Sequence, residues 1–242
     1  MSLTTFILFA VVVFAASVVQ GISGFAFGLI VLMVFPNIFG YTNALVLANL
    51  MTVLLLIYNS ILYRKYCAWQ WLPLGVSSFA VADLFGVLVL KRVGDAPIWY
   101  TLLGILFILM AIYLMWGQSR LPIKPNKRSL VFFSMLTGVL VGAFGVGGPI
   151  TAAFLMVATK SKEEYLGTIQ VISFFGMALD LIFRIAAGMV TFEILKTTAL
   201  GLVFLVAGVL VAKRLVQYID ALMLRRIVCV LMVLNGVVTL IH

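Results

Sequence analysis

Long apolar stretches separated by short polar connections run through the whole chain. Most are about twenty residues long, the length that crosses a bilayer as a helix, and none alternates apolar and polar positions as a membrane strand does. The pattern therefore predicts an all-α integral membrane protein with about eight to ten hydrophobic helical segments. We place these segments at residues 3–19, 25–35, 43–63, 72–90, 97–116, 129–143, 150–159, 165–187, 192–212 and 221–241.

Two of the apolar stretches are too long for one crossing and are interrupted by glycines. Unbroken, residues 3–35 would form a helix of about 50 Å, whereas the hydrocarbon core is about 30 Å thick. The glycine-rich interruptions are Gly21–Gly28 in this stretch and Gly142–Pro149 in the stretch 129–159. Because glycine accepts backbone conformations that end a helix, each interruption predicts a broken helix.

The two interruptions occupy equivalent positions in the two halves of the chain. An offset of 121 residues, half the chain length, relates Gly21 to Gly142, Gly24 to Gly145 and Asn49 to Gln170. We interpret this offset as an internal duplication. The predicted units are a first transmembrane repeat at 1–116, a basic cytoplasmic linker at 117–128 and a second transmembrane repeat at 129–242.

The positive charges predict how the segments are oriented. If each interrupted stretch crosses the membrane once, the lysines and arginines divide eight against eight between the two faces. If each stretch instead enters and returns as a hairpin, they divide twelve against four, which is the asymmetry that orients membrane proteins. The hairpin arrangement makes the halves inverted repeats. It also places both termini on the extracytoplasmic side of the cell (inner) membrane.

The composition excludes a water-soluble globule and narrows the functional classes. Hydrophobic residues make up 65% of the chain and charged residues only 10%, against about 25% charged in soluble domains, and the mean hydropathy is +1.27. The net charge is +9, and the basic residues lie mostly in the connections between apolar stretches. We therefore expect them to orient the helices in the membrane and not to bind nucleic acid. The first charged residue is Arg64, which favours a retained N-terminal segment over a cleaved leader. Without metal-ligand or catalytic spacings, we expect no cofactor, no metal and no enzyme activity.

A broken helix suggests where a small anion could bind. The N–H groups at the start of its second half have no helical partner, and together with the helix dipole they attract negative charge. The alternative is that the small residues of the breaks are packing notches between helices. The predicted substrate contacts are Gly21, Gly24, Gly145, Gly147, Gly148 and Pro149.

Four polar side chains near the interruptions are further candidates for the substrate site. Asn49 and Gln170 occupy the middle of their helices, one in each half, and each amide could donate to an anionic oxygen. Ser23 and Thr168 could donate their hydroxyls. The alternatives are interhelical hydrogen bonds for the amides and bonds to the own helix for the hydroxyls.

Three further features concern charge and packing inside the predicted spans. Asp83 is predicted near the middle of its span, and we assign it to coupling because an intramembrane carboxylate marks a proton relay, a cation site or a partner for a base. Asp180 and Arg184 are four residues apart, so we expect them to pair near the outer interface. Gly138 is expected to tolerate alanine, which is the better helix former.

The motifs resemble those of one transporter family. The sequence Gly142-Ala-Phe-Gly145-Val-Gly147-Gly148-Pro149, followed by Gly167-Thr168-Ile-Gln170, and its first-half counterpart around Gly21–Gly28 resemble the sulfite exporter TauE/SafE family over the whole chain. The resemblance implies movement of sulfite, sulfonates such as sulfoacetate, or related sulfur compounds across the cell membrane. The first half has Ser23-Gly24-Phe25 where some members have three glycines in a row, and the paired cysteines of some members are lacking. These departures leave the exact substrate open.

We therefore predict a secondary transporter, exporting small anionic sulfur compounds held between the two glycine-rich breaks. The alternatives are an ion channel or a cation- or proton-coupled importer that uses Asp83, and a membrane assembly subunit or intramembrane enzyme without transport. The expected partners are a small anionic substrate and the lipid bilayer, with a homodimer as an option and no nucleic acid.

Overall fold

In the computed structural model the chain is a bundle of helices. The structure describes residues 2–113, 115 and 124–215, and isolated positions 218, 229, 230, 233, 236 and 237. Ten α-helices and no strand occur in this part of the chain, as predicted. They are α1 Leu3–Ser23, α2 Phe27–Val31, α3 Phe35–Phe39, α4 Tyr41–Tyr63, α5 Leu72–Val93, α6 Ile98–Ile112, α7 Lys127–Phe144, α8 Gly148–Ala158, α9 Lys162–Ala186 and α10 Phe192–Leu215.

The helices have the length and composition of a multi-pass membrane protein. Six of those described are long and apolar enough to cross a bilayer: α1, α4, α5, α7, α9 and α10. Large apolar side chains on their outer faces are exposed, among them Val81, Phe132 and Val203, which suits lipid contact rather than water. The predicted segment 221–241 and most of the linker 117–128 lie outside the described residues.

Both predicted helix breaks are present. Helix α1 ends at Gly24, which has a φ of +85°, and α7 ends at Gly145, which has a φ of +67°. These left-handed conformations favour glycine, since a side chain there would be strained. The two terminating glycines are 121 residues apart, the offset that the sequence motifs share.

After each break the chain turns back along the helix that it has just left. The Phe133 and Phe154 rings lie 6.0 Å apart, and the Thr137 and Thr151 hydroxyls 3.1 Å apart, so α8 runs antiparallel to α7. In the first half Phe35 stacks on the Phe9 ring of α1 at 5.4 Å. Helix α8 has 11 residues and is about 16 Å long, too short to cross the hydrocarbon core. Both interrupted stretches therefore form hairpins.

Glycines allow two pairs of helices to pack with their backbones nearly in contact. Helix α5 lies along α7 and α1 lies along α10. A Cβ atom at Gly86 of α5 would lie 2.8 Å from the Val139 oxygen of α7. At Gly208 of α10 it would lie 2.7 Å from the Phe14 oxygen of α1. These contacts need small residues, as close helix packing in membranes generally does.

The close contact of α5 with α7 overturns the expectation for Gly138. A Cβ atom at this position would overlap the Phe79 carbonyl oxygen and would lie 2.9 Å from the Asp83 backbone nitrogen. Helix propensity favours alanine, but the backbone of the neighbouring helix occupies the space that its methyl group needs. Gly138→Ala is therefore not a silent substitution.

Candidate functional site

Both helix breaks line one cavity in the middle of the bundle. The first break contributes Gly24, Phe25 and Gly28, and the second contributes Gly145 to Gly148. The cavity offers about 70 Å³ to the centres of water-sized molecules. Since one water needs about 10–15 Å³ on this measure, the space suits several waters or one small polyatomic ion.

The walls of the cavity are apolar with a few hydroxyl groups and no charged side chain. Apolar side chains of α4, α5, α7 and α9 supply most of the surface. The Thr137 hydroxyl donates to the Phe133 oxygen at 2.8 Å, so in its 3.1 Å contact with Thr151 the Thr151 hydroxyl is the donor. The Ser134 hydroxyl has no partner among the described residues and can donate to an occupant. The lining hydroxyls are those of Thr52, Ser134, Thr137, Thr151 and Ser173.

The second break presents the start of a helix to this cavity. Helix α8 begins at Gly148, with Pro149 in its first turn, as the sequence predicts. No side chain caps this end, and among the described residues the N–H groups of Gly147 and Gly148 have no acceptor. Unpaired N–H groups at a helix N-terminus are a binding site for anions.

At the first break the Gln20 side chain forms hydrogen bonds with the backbone, so the two breaks are not equivalent. The Gln20 amide donates to the Gly24 oxygen at 2.9 Å, and its oxygen accepts from the Phe27 N–H at 2.9 Å. Ser23 likewise accepts from the Phe25 N–H at 3.3 Å. Helix α2 has only five residues. Gln20 therefore occupies the Phe27 N–H group at the first break, whereas no side chain caps the start of α8 at the second.

Some predicted glycines lie at the cavity and one does not. Gly24, Gly145, Gly147 and Gly148 line it. Gly21 instead faces α10, where a Cβ atom would lie 2.5 Å from that of Ala212. It is a packing notch, the alternative considered for these glycines.

The predicted polar donors lie outside the cavity lining. The Asn49 amide donates to the Met177 oxygen at 3.1 Å and to the Asp180 carboxylate at 2.7 Å. Gln170 is buried beside the first break, 3.7 Å from the position of a Cβ at Gly24, and its amide has no partner among the described residues. Asn49 therefore forms hydrogen bonds between helices. Gln170 lies next to the first break, and its side-chain amide forms no hydrogen bond with the described residues.

Thr168 supports the connection between α4 and α5. Its hydroxyl accepts from the Ala68 N–H at 2.9 Å, although an anion donor was expected. Burial raises the pKa of the neighbouring Cys67 thiol to about 11, and a hydrogen bond with Thr168 opposes the shift in part. The thiol is therefore neutral at physiological pH.

A buried ion pair lies directly behind the second break. The Arg184 Nε donates to the Asp180 carboxylate at 2.9 Å, and both side chains are 0% exposed. The Arg184 Nη2 donates to the oxygens of Val141 and Gly142 at 3.1 Å, in the last turns of α7. The predicted pairing is present. Helix α9 packs against α7 and α4 and carries the pair into the protein interior.

Asp83 is close to this pair but not to the cavity. It is 0% exposed, and neither carboxylate oxygen has a hydrogen-bond partner among the described residues. Its backbone lies against Gly142, where a Cβ atom would overlap the Asp83 carbonyl oxygen, and Arg184 donates to the Gly142 oxygen. Asp83, Asp180 and Arg184 thus form a buried group, which we call the charge cluster. In the described ranges no three potential metal ligands lie together.

Sequence reasoning missed two residues that shape the site. Gln20 has no part in the sequence interpretation, yet a polar side chain just before a glycine break in an apolar stretch is a signal for a capping role. Arg184 was expected to pair with Asp180 alone, although an arginine inside a 25-residue apolar helix must find further buried partners.

Comparison with known proteins agrees with this architecture. A family model described as Sulfite exporter TauE/SafE matches residues 8–239 of the 242-residue chain. No curated protein and no solved structure matches the chain. The helical bundle with two glycine-terminated hairpins is thus a multi-pass membrane protein, and the chain belongs to the sulfite exporter TauE/SafE family.

Proposed function

We propose that this protein is a secondary transporter that exports small anionic sulfur compounds, such as sulfite or sulfoacetate. The anion binds in the cavity, at the N-terminus of α8. The observation that carries the proposal is that both breaks line one cavity and that the Gly147 and Gly148 N–H groups there lack acceptors among the described residues. Membership of the sulfite exporter family supports the substrate class.

The electrostatics of the cavity suit reversible binding of an anion. The helix N-terminus supplies about half an elementary positive charge, and the free hydroxyl of Ser134 adds a donor. The full positive charge of Arg184 lies outside the cavity lining, where it is paired with Asp180. A site without a formal charge in its lining attracts an anion and still releases it, as transport requires.

We further propose that the two halves are inverted repeats with both termini outside the inner membrane. The offset of 121 residues relates α1 to α7, and the packing of α1 on α10 then corresponds to that of α7 on α5. The packing glycines agree, since Gly86 and Gly208 are 122 residues apart and Gly21 and Gly142 are 121 apart. The hairpin geometry of both breaks supports the charge count of twelve against four.

Reporter fusions test this orientation. Alkaline phosphatase, which is active only outside the cytoplasm, should be active when fused after His242, and a cytoplasm-specific reporter there should be inactive. The reverse pattern would refute the orientation and the inverted repeat together.

The other functional classes predict different outcomes in one assay. Purified protein in liposomes is tested with sulfite, sulfoacetate, sulfate and chloride under imposed pH and voltage gradients. The proposal expects saturable movement of sulfite or sulfoacetate. Conductive chloride flux would indicate a channel, strictly cation-dependent uptake an importer, and the absence of any flux a subunit without transport. Each of these outcomes would overturn the proposal.

A further inference from the structure

The charge cluster contains more negative than positive groups. Asp83, Asp180 and Arg184 are each 0% exposed, so none of the three charges is hydrated by bulk water. Two ionised carboxylates with one guanidinium would leave a net charge of −1 inside the bundle. An uncompensated buried charge is costly, and an ionisable group in that position tends to take up or release a proton.

The two carboxylates have very different surroundings. The Asp180 Oδ2 accepts from Arg184 at 2.9 Å and from Asn49 at 2.7 Å. Neither oxygen of Asp83 has a partner among the described residues. Asp180 is therefore neutralised directly by Arg184, although the Asp180 Oδ1 and the Arg184 Nη1 have no partner among the described residues. Asp83 is the group whose charge has no direct neutralising partner.

Among the described residues, the helices packed against the charge cluster place no other charged side chain next to it. Helix α4 contributes Asn49 and Tyr41, and the Tyr41 hydroxyl donates to the Ala143 oxygen at 3.1 Å. Helix α5 contributes Asp83, and its exposed Lys91 and Arg92 lie in the last turn, about 12 Å or more along the helix. The lysine and arginine of α7 and the lysine and glutamates of α9 lie in the first turns of those helices, about 20 Å or more from the cluster.

We propose that Asp83 takes up and releases one proton, and that Arg184 links this proton to anion binding at the second break. A proton from water adds to a carboxylate oxygen, which changes the cluster from a net charge of −1 to neutral. The inference rests on the proposed function, because it identifies the ion that is bound together with the anion.

The link runs through the end of α7. Arg184 holds the oxygens of Val141 and Gly142, and Val141 also lines the cavity. A cluster with net charge −1 directly behind the cavity repels an anion, whereas the neutral cluster leaves the helix N-terminus to attract it. By reciprocity the anion favours the protonated cluster to the same extent. A dianion moving with one proton carries a net charge of −1, which an inside-negative potential drives outward.

Calorimetric titration of the purified full-length protein with sulfoacetate tests this linkage from about pH 6 to about pH 9. Sulfoacetate keeps its charge in this range, whereas sulfite itself exchanges a proton near neutral pH. The Kd should rise by up to about tenfold per pH unit at the high end. Binding heats in buffers of different ionisation enthalpy should show uptake of up to one proton per anion. If only sulfite binds, proton uptake is compared between the wild-type protein and the Asp83→Asn variant. The uptake that remains in the variant is that of sulfite itself.

The Asp83→Asn variant mimics the neutral carboxyl and should bind sulfoacetate with the low-pH affinity at every pH and without proton uptake. Asp95→Asn is the matched control, because Asp95 is an exposed carboxylate that accepts from Thr42, and it should keep the wild-type pH profile. If Asp83→Asn does not fold, the proton uptake of the wild-type protein decides the question alone.

The two proposals fail in different ways. Wild-type binding with a pH-independent Kd and no proton uptake would overturn the proton linkage and leave the anion site intact. The same holds if Asp83→Asn keeps the wild-type pH profile. Failure to bind sulfoacetate and sulfite at every pH would overturn the proposed function itself.

Discussion

Ser134 provides the sharpest test of the anion site, because its hydroxyl can be removed without disturbing a described hydrogen bond. Ser134→Ala deletes a buried hydroxyl at the cavity and changes the side chain by a single atom. A hydrogen bond to a charged group contributes about 1.5–3 kcal/mol. At about 1.4 kcal/mol per factor of ten, the Kd for the anion should therefore rise at least about tenfold and up to about 150-fold.

The assay is equilibrium binding of sulfoacetate together with its efflux from liposomes. Ser77→Ala is the matched control, since Ser77 is exposed on α5 and its hydroxyl donates to its own helix at the Leu74 oxygen. The control should retain wild-type affinity. A Ser134→Ala variant with wild-type Kd would show that the Ser134 hydroxyl does not contact the anion. Equal losses in both variants would also contradict the reasoning.

Thr151→Val should give a smaller loss at the same cavity. Its hydroxyl already donates to Thr137 at 3.1 Å, so an anion gains this donor only by breaking that bond. The net gain is the difference between a charged and a neutral hydrogen bond, about 1 kcal/mol, or about fivefold in Kd. A loss larger than that of Ser134→Ala would show that Thr151 and not Ser134 is the principal side-chain donor.

The remaining predictions concern the second break, the ion pair and the buried thiol. Gly148→Val should abolish transport while the protein still inserts in the membrane. The valine side chain would occupy the contact between the two breaks, where a Cβ atom would lie 2.6 Å from the Phe25 side chain. Ala199→Val on the exposed face of α10 is the control, and normal transport by Gly148→Val would refute the site. Arg184→Gln should destabilise the protein by about 3–5 kcal/mol in thermal unfolding, since it leaves Asp180 buried without a counter-charge. An unchanged melting temperature would show that the pair contributes nothing. Alkylation of Cys67 should be slow at neutral pH and should accelerate about tenfold per pH unit up to a pKa of about 11, and a rate already maximal at pH 8 would contradict its burial.

The sequence alone determined the class of the protein and the positions of its helix breaks. Apolar stretches of span length can be stable only as helices in lipid, and the glycines at 24 and 145 end helices because the left-handed conformation excludes other side chains. The short motifs around these glycines were sufficient to indicate the family. All of this depends on residues close together in the chain.

Only the tertiary structure decided which residues meet at the site. Gly21 and Gly24 belong to one motif, yet one packs against α10 and the other lines the cavity, because the face of a helix that meets a neighbour is set by packing. Arg184 binds carbonyl oxygens more than 40 residues earlier in the chain, a contact that no local pattern encodes. Gln20 makes the two breaks different through its hydrogen bonds with the Gly24 oxygen and the Phe27 N–H group. Sequence periodicity carries no information on such distant contacts, since they depend on how the helices are arranged around each other.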